Sequence, residues 1–387
     1  MLVYNIFHGG EILFKQFRLD VRLIKDIDKT LLFSMVSLVL YGILNIYLCT
    51  KGGKYDGVAL KQFVWLVISL IILYVFLSID YTIMMNYVPL FYWGSVLLLI
   101  ATMFIGSEIN GAKGWIKFGP VSLQASEFAK IGIILMLAKK LEEMEGKIND
   151  VKNFFTLVFY AGVPVLFIII QPDMGMTMVS FFIVLGIFFV AGLDMKIIGG
   201  GLASLVLAII IVLNSSFMPA YQKSRFTGFL NPEADYAGNG YHLTQSLIGI
   251  GSGGILGSRP SLKADGSTGY AAQNVPEVHT DFIFSAIAEQ LGLAGAIFLL
   301  ILYGFLIYEM IAIARTSKDI CGSVICVGIV SYFLFAICQN IGMTIGLLPI
   351  TGITLPLISY GGSSLLTTIM SVGLVINVGM RRKKIHF

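Results

Sequence analysis

The sequence predicts an all-α polytopic membrane protein with about ten transmembrane helices and one large extracellular loop between the seventh and the eighth span. Hydrophobic residues make up 57% of the 387 positions and charged residues only 12%, which is about half of the charged fraction of soluble proteins. The mean hydropathy is +0.88. Ten apolar runs come close to the length of about 20 residues that a helix needs to cross the hydrocarbon. They cover residues 31–49, 62–79, 87–105, 126–141, 154–170, 174–192, 196–213, 282–312, 321–348 and 360–380.

The chain divides into a short N-terminal segment and one transmembrane domain. We expect residues 1–30 to be a cytoplasmic segment and residues 31–387 to form a single transmembrane domain that includes the extracellular loop 214–281. That loop is rich in Gly, Ser, Asn and Pro, and loops of such length are usually functional or disordered. Its apolar stretch from Leu243 to Ile250 favours a loop that folds back onto the membrane surface.

The distribution of Lys and Arg predicts the orientation, because positive charge accumulates in the cytoplasmic segments of membrane proteins. With the N-terminus inside, 16 of the 26 Lys and Arg residues lie on the inner side, 6 lie on the outer side, and 4 lie in the long loop, where the rule has little weight. We therefore expect both termini to be cytoplasmic. The polar motifs in residues 106–127, 171–173, 214–281 and 349–363 then all face outward.

The stretch VPEVHTDFIFSAIAEQLGLAG joins a polar loop to a long apolar segment. Glu277, His279, Thr280 and Asp281 fall within five positions, directly before the apolar run that starts at Phe282. Charge near hydrocarbon is disfavoured unless it is paired or wet, so such a cluster is a candidate functional site. The alternative is that Thr280 or Asp281 only caps the following helix. A cap and a catalytic group are compatible roles, and both stay open here.

The stretch NGAKGWIKFGPVSLQASEFAK places an aromatic and two charged residues before the fourth span. Trp115 fits the aromatic belt at a membrane interface. Ser126 resembles an N-cap, and Glu127 suits the positive end of the helix dipole. Lys130 is spaced to pair with Glu127 at i,i+3. A carboxylate and an ammonium at this depth exceed what an interfacial belt needs, so their role is either structural pairing or the supply of charge to a ligand.

The stretch QPDMG joins the fifth and sixth spans. Pro172 and Gly175 predict a tight turn, in which Asp173 would bond to its own backbone. The alternative is that Asp173 faces Lys130 across the bundle and fixes its direction.

The stretch AYQKSRFTGFLNPEADYAGNGYHLTQSLIGIGSGG carries Lys223 and Arg225 in an outer loop. An isolated arginine there is often solvated or bound to a lipid headgroup. Its planar fork also binds two oxygens of a diphosphate at once. The glycines from Gly249 to Gly257 lack the preceding strand and the GK[ST] ending of a nucleotide-binding loop, so that interpretation is weak.

The stretch QNIGMTIGLLPITGITLPLISYGGS interrupts the last two spans. Pro349, Gly352 and Pro356 break helical structure, and irregular backbone at membrane depth is tolerated only where it is buried in protein or lines a cavity. The wall of a polar site is suggested by the residues that follow, Ser359, Tyr360, Gly361, Gly362 and Ser363. The four cysteines form no CxxC pair and are interpreted as small hydrophobic residues, and the four scattered histidines form no metal motif.

Taken together, these motifs resemble the SEDS family (shape, elongation, division and sporulation), in its RodA, FtsW and SpoVE group. The resemblance runs from about Asn110 to Asn377 and depends on motifs that occur in the family's order: GAKGWIKFG, QASEFAK, QPDMG, YQKSRF, NPEAD, GYHLTQS, PEVHTDFIFSAIAEQLG and NIGMTIGLLPITGITLPLISYGGSS. Ala125 stands where the family has proline, Gln290 replaces a glutamate, and residues 258–274 depart from the family's text.

The resemblance implies a ten-span glycosyltransferase at the outer face of the bacterial cell membrane. Its substrate would be lipid II, an undecaprenyl-diphosphate-linked disaccharide peptide that is polymerised into peptidoglycan strands. The family's essential aspartate corresponds to Asp281, and its conserved tryptophan, glutamate and lysine correspond to Trp115, Glu127 and Lys130. A class B penicillin-binding protein would be the partner that cross-links the strand. No nucleic-acid partner is expected.

The corresponding mechanism assigns Asp281 as the general base. Glu277 and His279 would tune it or hold a cation, and Lys130 and Arg225 would neutralise the leaving diphosphate, with or without a divalent ion such as Mg²⁺ or Mn²⁺. The substrate-binding set is Trp115, Glu127, Lys130, Asp173, Arg225, Glu277, His279 and Ser359. The lipid tails would lie against the apolar helix faces, in contact with membrane lipids.

Two other functions stay open at this point. One is a flippase or transporter of the same lipid-linked sugar, which would need polar residues tracking across the membrane. The other is a non-catalytic scaffold for the penicillin-binding protein, which would not need Asp281.

Overall fold

The computed structural model describes residues 25–53, 55–109, 112–119, 121–214, 229, 239–258 and 269–382. Lys223 and Arg225 lie outside the described residues. The described part contains twelve helices. They are α1 (Lys29–Thr50), α2 (Val58–Ser78), α3 (Tyr81–Ile105), α4 (Ala125–Glu143), α5 (Val151–Ile170), α6 (Met174–Val190), α7 (Met195–Asn214), α8 (Asn239–Gly253), α9 (Tyr270–Asn274), α10 (Ile283–Arg315), α11 (Ile320–Thr344) and α12 (Gly362–Met380).

Each of the ten apolar runs corresponds to one of these helices, although the run 321–348 extends past the end of α11 at Thr344, and α8 and α9 belong to the predicted loop. Seven of the ten are long and apolar enough by themselves to cross a membrane, namely α1, α2, α3, α5, α10, α11 and α12. Helix α6 has only 17 residues. Helix α4 carries charged residues near both ends, among them Glu127, Lys130, Lys139 and Lys140. The structure is therefore an all-α membrane protein with seven candidate spans in the part that it describes.

A small antiparallel sheet, absent from the sequence prediction, covers the approach to α4. Its strands are β1 (Ser107–Ile109), β2 (Ala112–Phe118) and β3 (Val121–Gln124), in the order β1-β2-β3. Trp115 pairs with Ser107 on one side and with Gln124 on the other. The run KGWIK, residues 113–117, alternates in burial, as a strand with one covered face does. The sheet therefore fixes which way Trp115 points.

Helix α12 lies at the centre of the bundle, where it is surrounded by protein rather than lipid. Every residue from Ser363 to Met380 is buried. The helix is rich in small residues, such as Thr367, Thr368 and Gly373, and small residues allow helices to approach closely inside a membrane. The neighbours of α12 include α2, α11 and α10. Hydropathy alone does not distinguish such a helix from one that faces lipid.

The irregular segment between α11 and α12 confirms the predicted break. Residues 345–361 contain no regular helix, and Leu355, Leu357 and Ile358 are buried among the helices. Non-helical backbone of this kind needs hydrogen-bond partners from the surrounding protein.

Helix α10 was predicted as one continuous span but is kinked at Gly292, where φ is 66° and ψ is −164°. The kink frees the amides of Leu293 and Ala294, which donate to the carbonyl oxygens of Gly254 (2.9 Å) and Ile255 (3.0 Å) at the end of α8. The glycine run therefore allows close contact between α8 and α10. This agrees with the sequence analysis, in which the interpretation as a nucleotide-binding loop is weak.

We predict that Gly253→Ala disrupts this contact. An added Cβ would lie 2.0 Å from the carbonyl oxygen of Ala288, and overpacking of this kind typically costs about 1–3 kcal/mol. The matched control is Gly251→Ala on the same helix, where a Cβ meets nothing within 4 Å. Thermal unfolding in detergent should show a lower midpoint for Gly253→Ala only. Equal midpoints for the two variants would contradict the assigned contact.

Candidate functional site

A cavity of about 240 Å³ lies where the sheet, the turn between α5 and α6, the segment before α10 and the irregular segment before α12 meet. Five of the nine candidate residues line it: Trp115, Glu127, Asp173, Glu277 and Asp281. Residues more than 160 positions apart in the sequence are thus brought into one pocket. Tyr360 and Gly361, which the sequence places at the wall of a polar site, also line it, whereas sequence reasoning did not identify the lining residues Gln124, Tyr332, Thr351 and Thr354.

The predicted ion pair between Glu127 and Lys130 is confirmed. Lys130 Nζ lies 2.6 Å from Glu127 Oε2, and both side chains are almost completely buried, at 1% and 5% exposure. Thr367 Oγ1 donates to the same carboxylate oxygen at 2.5 Å. Lys130 Nζ also lies 3.8 Å from the centre of the Tyr332 ring. Glu127 lines the cavity, whereas Lys130 lies behind it.

The sequence prediction that Ser126 is an N-cap is wrong, and the alternative that Thr280 or Asp281 caps α10 does not hold either. Helix α4 begins at Ala125 after Gln124, which makes no side-chain cap, so Ser126 lies inside the first turn rather than at the N-cap. Helix α10 begins after Phe282, so Thr280 and Asp281 precede its cap position. The hydroxyl of Thr280 instead bonds back to Glu277, as described below.

Asp173 makes the turn that the sequence predicts. Its Oδ1 accepts from the amide of Met176 at 3.0 Å and so caps α6. Its Oδ2 accepts from Gln124 Nε2 at 3.1 Å, which ties the turn to the end of β3. The direction of Lys130 is set by Glu127 and Tyr332 instead.

Ser359 holds the segment before α10 against the irregular segment. Its hydroxyl donates to the carbonyl oxygen of Thr280 at 2.6 Å and accepts from the amide of Leu355 at 2.8 Å. The amide of Tyr360 donates to the carbonyl oxygen of His279 at 2.9 Å. Ser359 is buried and does not line the cavity. Its hydroxyl is occupied by backbone groups, so we assign it a positioning role.

Asn340 on α11 completes this attachment. Its Nδ2 donates to the carbonyl oxygens of Asp281 (2.8 Å) and Ile353 (2.7 Å). One amide group thus joins the segment before α10 to the irregular segment. In the sequence, the only signal for Asn340 was a polar amide inside an apolar run. The consequence is that the main chain of Asp281 is fixed at a position where this residue lines the cavity.

His279 is packed away from the cavity. Its ring lies between those of Tyr55 and Tyr360, with centroid distances of 4.3 Å and 5.7 Å, and it is 5% exposed. Its Nδ1 has no hydrogen-bond partner among the described residues. Burial lowers the pKa of His279, and the nearby charge of Glu277 opposes this only in part. The neutral imidazole is therefore the favoured form.

Glu277 forms the tight turn that precedes Asp281. Its φ is 53°, and a left-handed conformation in a residue with a side chain is a strained one that often marks a functional site. Its carbonyl oxygen accepts from the amides of Thr280 (3.1 Å) and Phe282 (3.2 Å). Its carboxylate accepts from Thr280 Oγ1 at 3.0 Å.

Glu289, a buried carboxylate in an apolar helix, has a structural role. It is almost completely buried in α10, and its two carboxylate oxygens accept from the amides of Tyr270 (2.5 Å) and Ala271 (2.8 Å). A carboxylate at a helix N-terminus satisfies amides that have no partner in the helix. Glu289 therefore fixes α9, which leads into the segment that carries Asp281. The feature of the sequence that could have pointed to this role is a single carboxylate within an apolar run.

The acidic residues around the cavity do not form a preassembled metal centre in the part of the chain that the structure describes. Four carboxylates line the cavity, those of Glu127, Asp173, Glu277 and Asp281. The described residues nevertheless contain no group of three or more Asp, Glu, His or Cys side chains that could hold a metal ion together. We therefore assign no catalytic step to a bound metal.

Comparison with known proteins gives consistent matches over most of the chain. The family model FTSW_RODA_SPOVE, described as a cell cycle protein, matches residues 27–384. The peptidoglycan glycosyltransferase MrdB of Escherichia coli strain K12 is 34% identical over 357 residues, which cover 92% of this chain and 94% of that protein.

Solved structures are also similar to this chain. A chain described under "structural coordination of polymerization and crosslinking by a peptidoglycan synthase complex" has a TM-score of 0.79 and 30% identity, and the match covers 91% of this chain and 97% of that one. The crystal structure of the Rod shape determining protein RodA of Thermus thermophilus has a TM-score of 0.70 and 28% identity, with 92% and 98% covered.

We predict that Lys130→Met is strongly destabilising. It leaves the buried carboxylate of Glu127 without its counter-charge, which costs about 3–5 kcal/mol for pairs of this kind. The matched control is Lys140→Met, since Lys140 also pairs with a glutamate at i,i+3 and 2.6 Å, but Glu143 is 46% exposed. Exposed pairs contribute about 0–1 kcal/mol. Thermal unfolding should separate the variants, and adding Glu127→Gln should restore part of the loss in Lys130→Met. Equal midpoints for the two lysine variants would contradict the assignment.

We also predict that acid weakens the packing of His279. Because the folded-state pKa is lowered, the stability it contributes is complete above the pKa of an unfolded histidine, about 6.5. That stability is lost as the pH falls below this value, since the unfolded chain then binds the proton more readily. His279→Phe, which keeps a ring between Tyr55 and Tyr360, should make the unfolding midpoint less dependent on pH between 5 and 7. An unchanged pH dependence would contradict this prediction.

Proposed function

The chain belongs to the FtsW, RodA and SpoVE family, and from this membership we propose that it is a peptidoglycan glycosyltransferase that polymerises lipid II at the outer face of the bacterial cell membrane. The observation that carries the proposal is the cavity with Asp281 at its wall and a rigid main chain behind that residue. The name and the extent of the match to MrdB support the same activity.

We assign Asp281 as the general base. The 4-hydroxyl of the GlcNAc in one lipid II attacks the anomeric carbon of the growing chain, and the hydroxyl proton passes to the Asp281 carboxylate. The bond between that carbon and the diphosphate oxygen breaks, and the lipid diphosphate leaves with the electron pair. A positioned carboxylate contributes about 10²–10⁴ in rate to such a step. The hydrogen bonds from Asn340 and Ser359 support a fixed geometry for the base.

Trp115 and the other carboxylates complete the proposed binding site. The indole of Trp115 offers an apolar face for a sugar ring, and Asp173 and Glu277 offer acceptors for sugar hydroxyls. Glu127 holds Lys130 beneath the cavity, where the ammonium lies 3.8 Å from the centre of the ring of Tyr332, a residue of the cavity wall. Charge that is already positioned when the leaving group departs is often the largest catalytic contribution.

Arg225 and a divalent cation stay part of the proposal. Arg225 would bind the leaving diphosphate with its planar guanidinium. Since the described residues offer no three-ligand metal centre, a Mg²⁺ or Mn²⁺ ion would have to arrive with the diphosphate oxygens of the substrate. We assign it no step.

The topology and the partner follow from the same proposal. We propose ten spans with both termini in the cytoplasm, which puts the cavity on the outer side, and the bias of Lys and Arg supports this orientation. We propose a class B penicillin-binding protein as the partner that cross-links the strand. The similarity to a chain from a peptidoglycan synthase complex supports an assembly of this kind.

We predict that Asp281→Asn lowers strand synthesis by about 10²-fold or more, because the amide cannot accept the proton. The assay uses purified protein, labelled lipid II and the penicillin-binding protein. The control is Asp150→Asn, which changes an exposed aspartate before α5, and the unfolding midpoint of Asp281→Asn should equal that of the wild type.

Three outcomes of this assay separate the candidate functions. Strand synthesis by Asp281→Asn at the wild-type rate would exclude it as the base. Transfer of lipid II across vesicles by the wild type, without strands, would favour the flippase. Strand synthesis by the partner alone, at a rate that does not depend on this chain, would favour the scaffold.

A further inference from the structure

The acidic residues of the cavity would repel a diphosphate ligand. The described lining of the cavity includes four carboxylates, from Glu127, Asp173, Glu277 and Asp281, and no Lys, Arg or His. Lys130 lies behind the wall and is balanced by Glu127 at 2.6 Å. An anion that enters such a pocket is repelled unless positive charge accompanies it, and clefts attract ligands through charges on their rims.

Strand β2 carries positive charge to the rim of the cavity. In a strand, alternate side chains point to the same face, so Trp115 and Lys117 share one face, and Ile116, on the other face, is buried against the protein. The pairing with β1 has an extra residue in β2 between Ala112 and Trp115, and such a bulge interrupts the alternation, so Lys113 is grouped with them by its exposure and its place in the strand. We refer to Lys113, Trp115 and Lys117 together as the β2 face.

The register of the sheet shows that the β2 face is continuous with the cavity. Trp115 lies opposite Gln124, and Lys117 lies opposite Ser122. Directly opposed residues project to the same side of a sheet. Trp115, Gln124 and Ser122 all line the cavity, so Lys117 projects on the side of the sheet that borders it.

Both lysines of the β2 face are available to a ligand. Lys113 and Lys117 are exposed. Among the residues that the structure describes, neither ammonium lies within 4.0 Å of a carboxylate, in contrast to Lys130, Lys140 and Lys147. They lie four residues apart along the strand, on either side of Trp115 in the sequence, so their Cα atoms are at most about 13 Å apart.

We propose that the β2 face captures the diphosphate of the lipid-linked substrate, with Lys117 as the main contact and Lys113 as the second, and so offsets the negative charge of the cavity. The proposal rests on the proposed glycosyltransferase function. Lysine suits this task because its ammonium is a mobile point charge on a flexible stem, which can follow a diphosphate as it moves between the rim and the cavity. The two lysines bind and steer the substrate and take no part in the chemical step.

The kinetic test uses charge-removing and charge-keeping variants of the same lysine. Lys117→Gln should raise the KM for lipid II by about 3-fold to 10-fold with little change in kcat, since a charge at the rim acts on capture. Lys117→Arg should keep the wild-type KM. Lys61→Gln, which removes an exposed lysine of α2, is the matched control. The effect of Lys117→Gln should shrink as salt is raised, because salt screens exposed charges. An unchanged KM, or a fall in kcat alone, overturns the proposal.

A binding test keeps this proposal separate from the proposed function. Undecaprenyl diphosphate is titrated into the Asp281→Asn protein in nanodiscs of zwitterionic lipid, with undecaprenol as the probe that lacks phosphate. The double variant Lys113→Gln/Lys117→Gln should lose about 10-fold or more in affinity for the diphosphate and should bind undecaprenol unchanged. An unchanged affinity for the diphosphate overturns the capture role, even if the strand assay supports the enzyme.

A third arm distinguishes the substrate from membrane lipid as the source of phosphate. The same titration is repeated in nanodiscs that contain anionic phospholipid. If the β2 face serves the substrate, the difference between the wild type and the double variant persists there. If anionic phospholipid abolishes the difference in affinity for undecaprenyl diphosphate between the wild type and the double variant, the lysines bind lipid headgroups instead, and the proposal fails.

Discussion

The attachment of residues 279–281 to the irregular segment before α12 is the constraint on which the site depends. Backbone groups inside a membrane protein must find partners within the protein, and here three consecutive carbonyl oxygens do so. His279 accepts from Tyr360, Thr280 accepts from Ser359, and Asp281 accepts from Asn340. These hydrogen bonds also satisfy polar groups of the irregular segment, so neither segment can shift without leaving buried polar groups unpaired. The main chain that carries Asp281 is therefore held in place.

The charged residues of the site are arranged in layers of decreasing exposure. The β2 face lies outermost, the carboxylates of Asp173, Glu277 and Asp281 line the cavity, and the ion pair of Glu127 with Lys130 lies beneath. The inner pair is neutral as a unit, which is what a buried environment requires. The outer lysines stay hydrated and need no partner. This order places mobile charge where a ligand arrives and fixed charge where the chemistry is proposed to occur.

Local sequence signals predicted the parts of the structure that depend on neighbouring residues. The ten apolar runs are helices, Asp173 makes its turn, and the spacing of Glu127 and Lys130 produces an ion pair. The parts that depend on distant contacts were not predictable. The sheet forms because β2 finds partners on both sides, and the kink at Gly292 exists because α8 supplies two carbonyl oxygens. Hydropathy likewise could not show that α12 is enclosed by protein. His279 and Ser359 fell on the correct segment, but which way their side chains point is decided by Tyr55 and Leu355, which no short motif contains.

Glu289 joins two points of the chain that are twelve residues apart. Its carbonyl oxygen accepts from the amide and the hydroxyl of Ser258 (2.9 Å and 3.1 Å), and its carboxylate holds the amides of Tyr270 and Ala271. The intervening stretch therefore begins and ends at one anchoring residue. A change in the number of residues between Ser258 and Tyr270 would leave both attachments to Glu289 in place, so α9 would stay joined to α10.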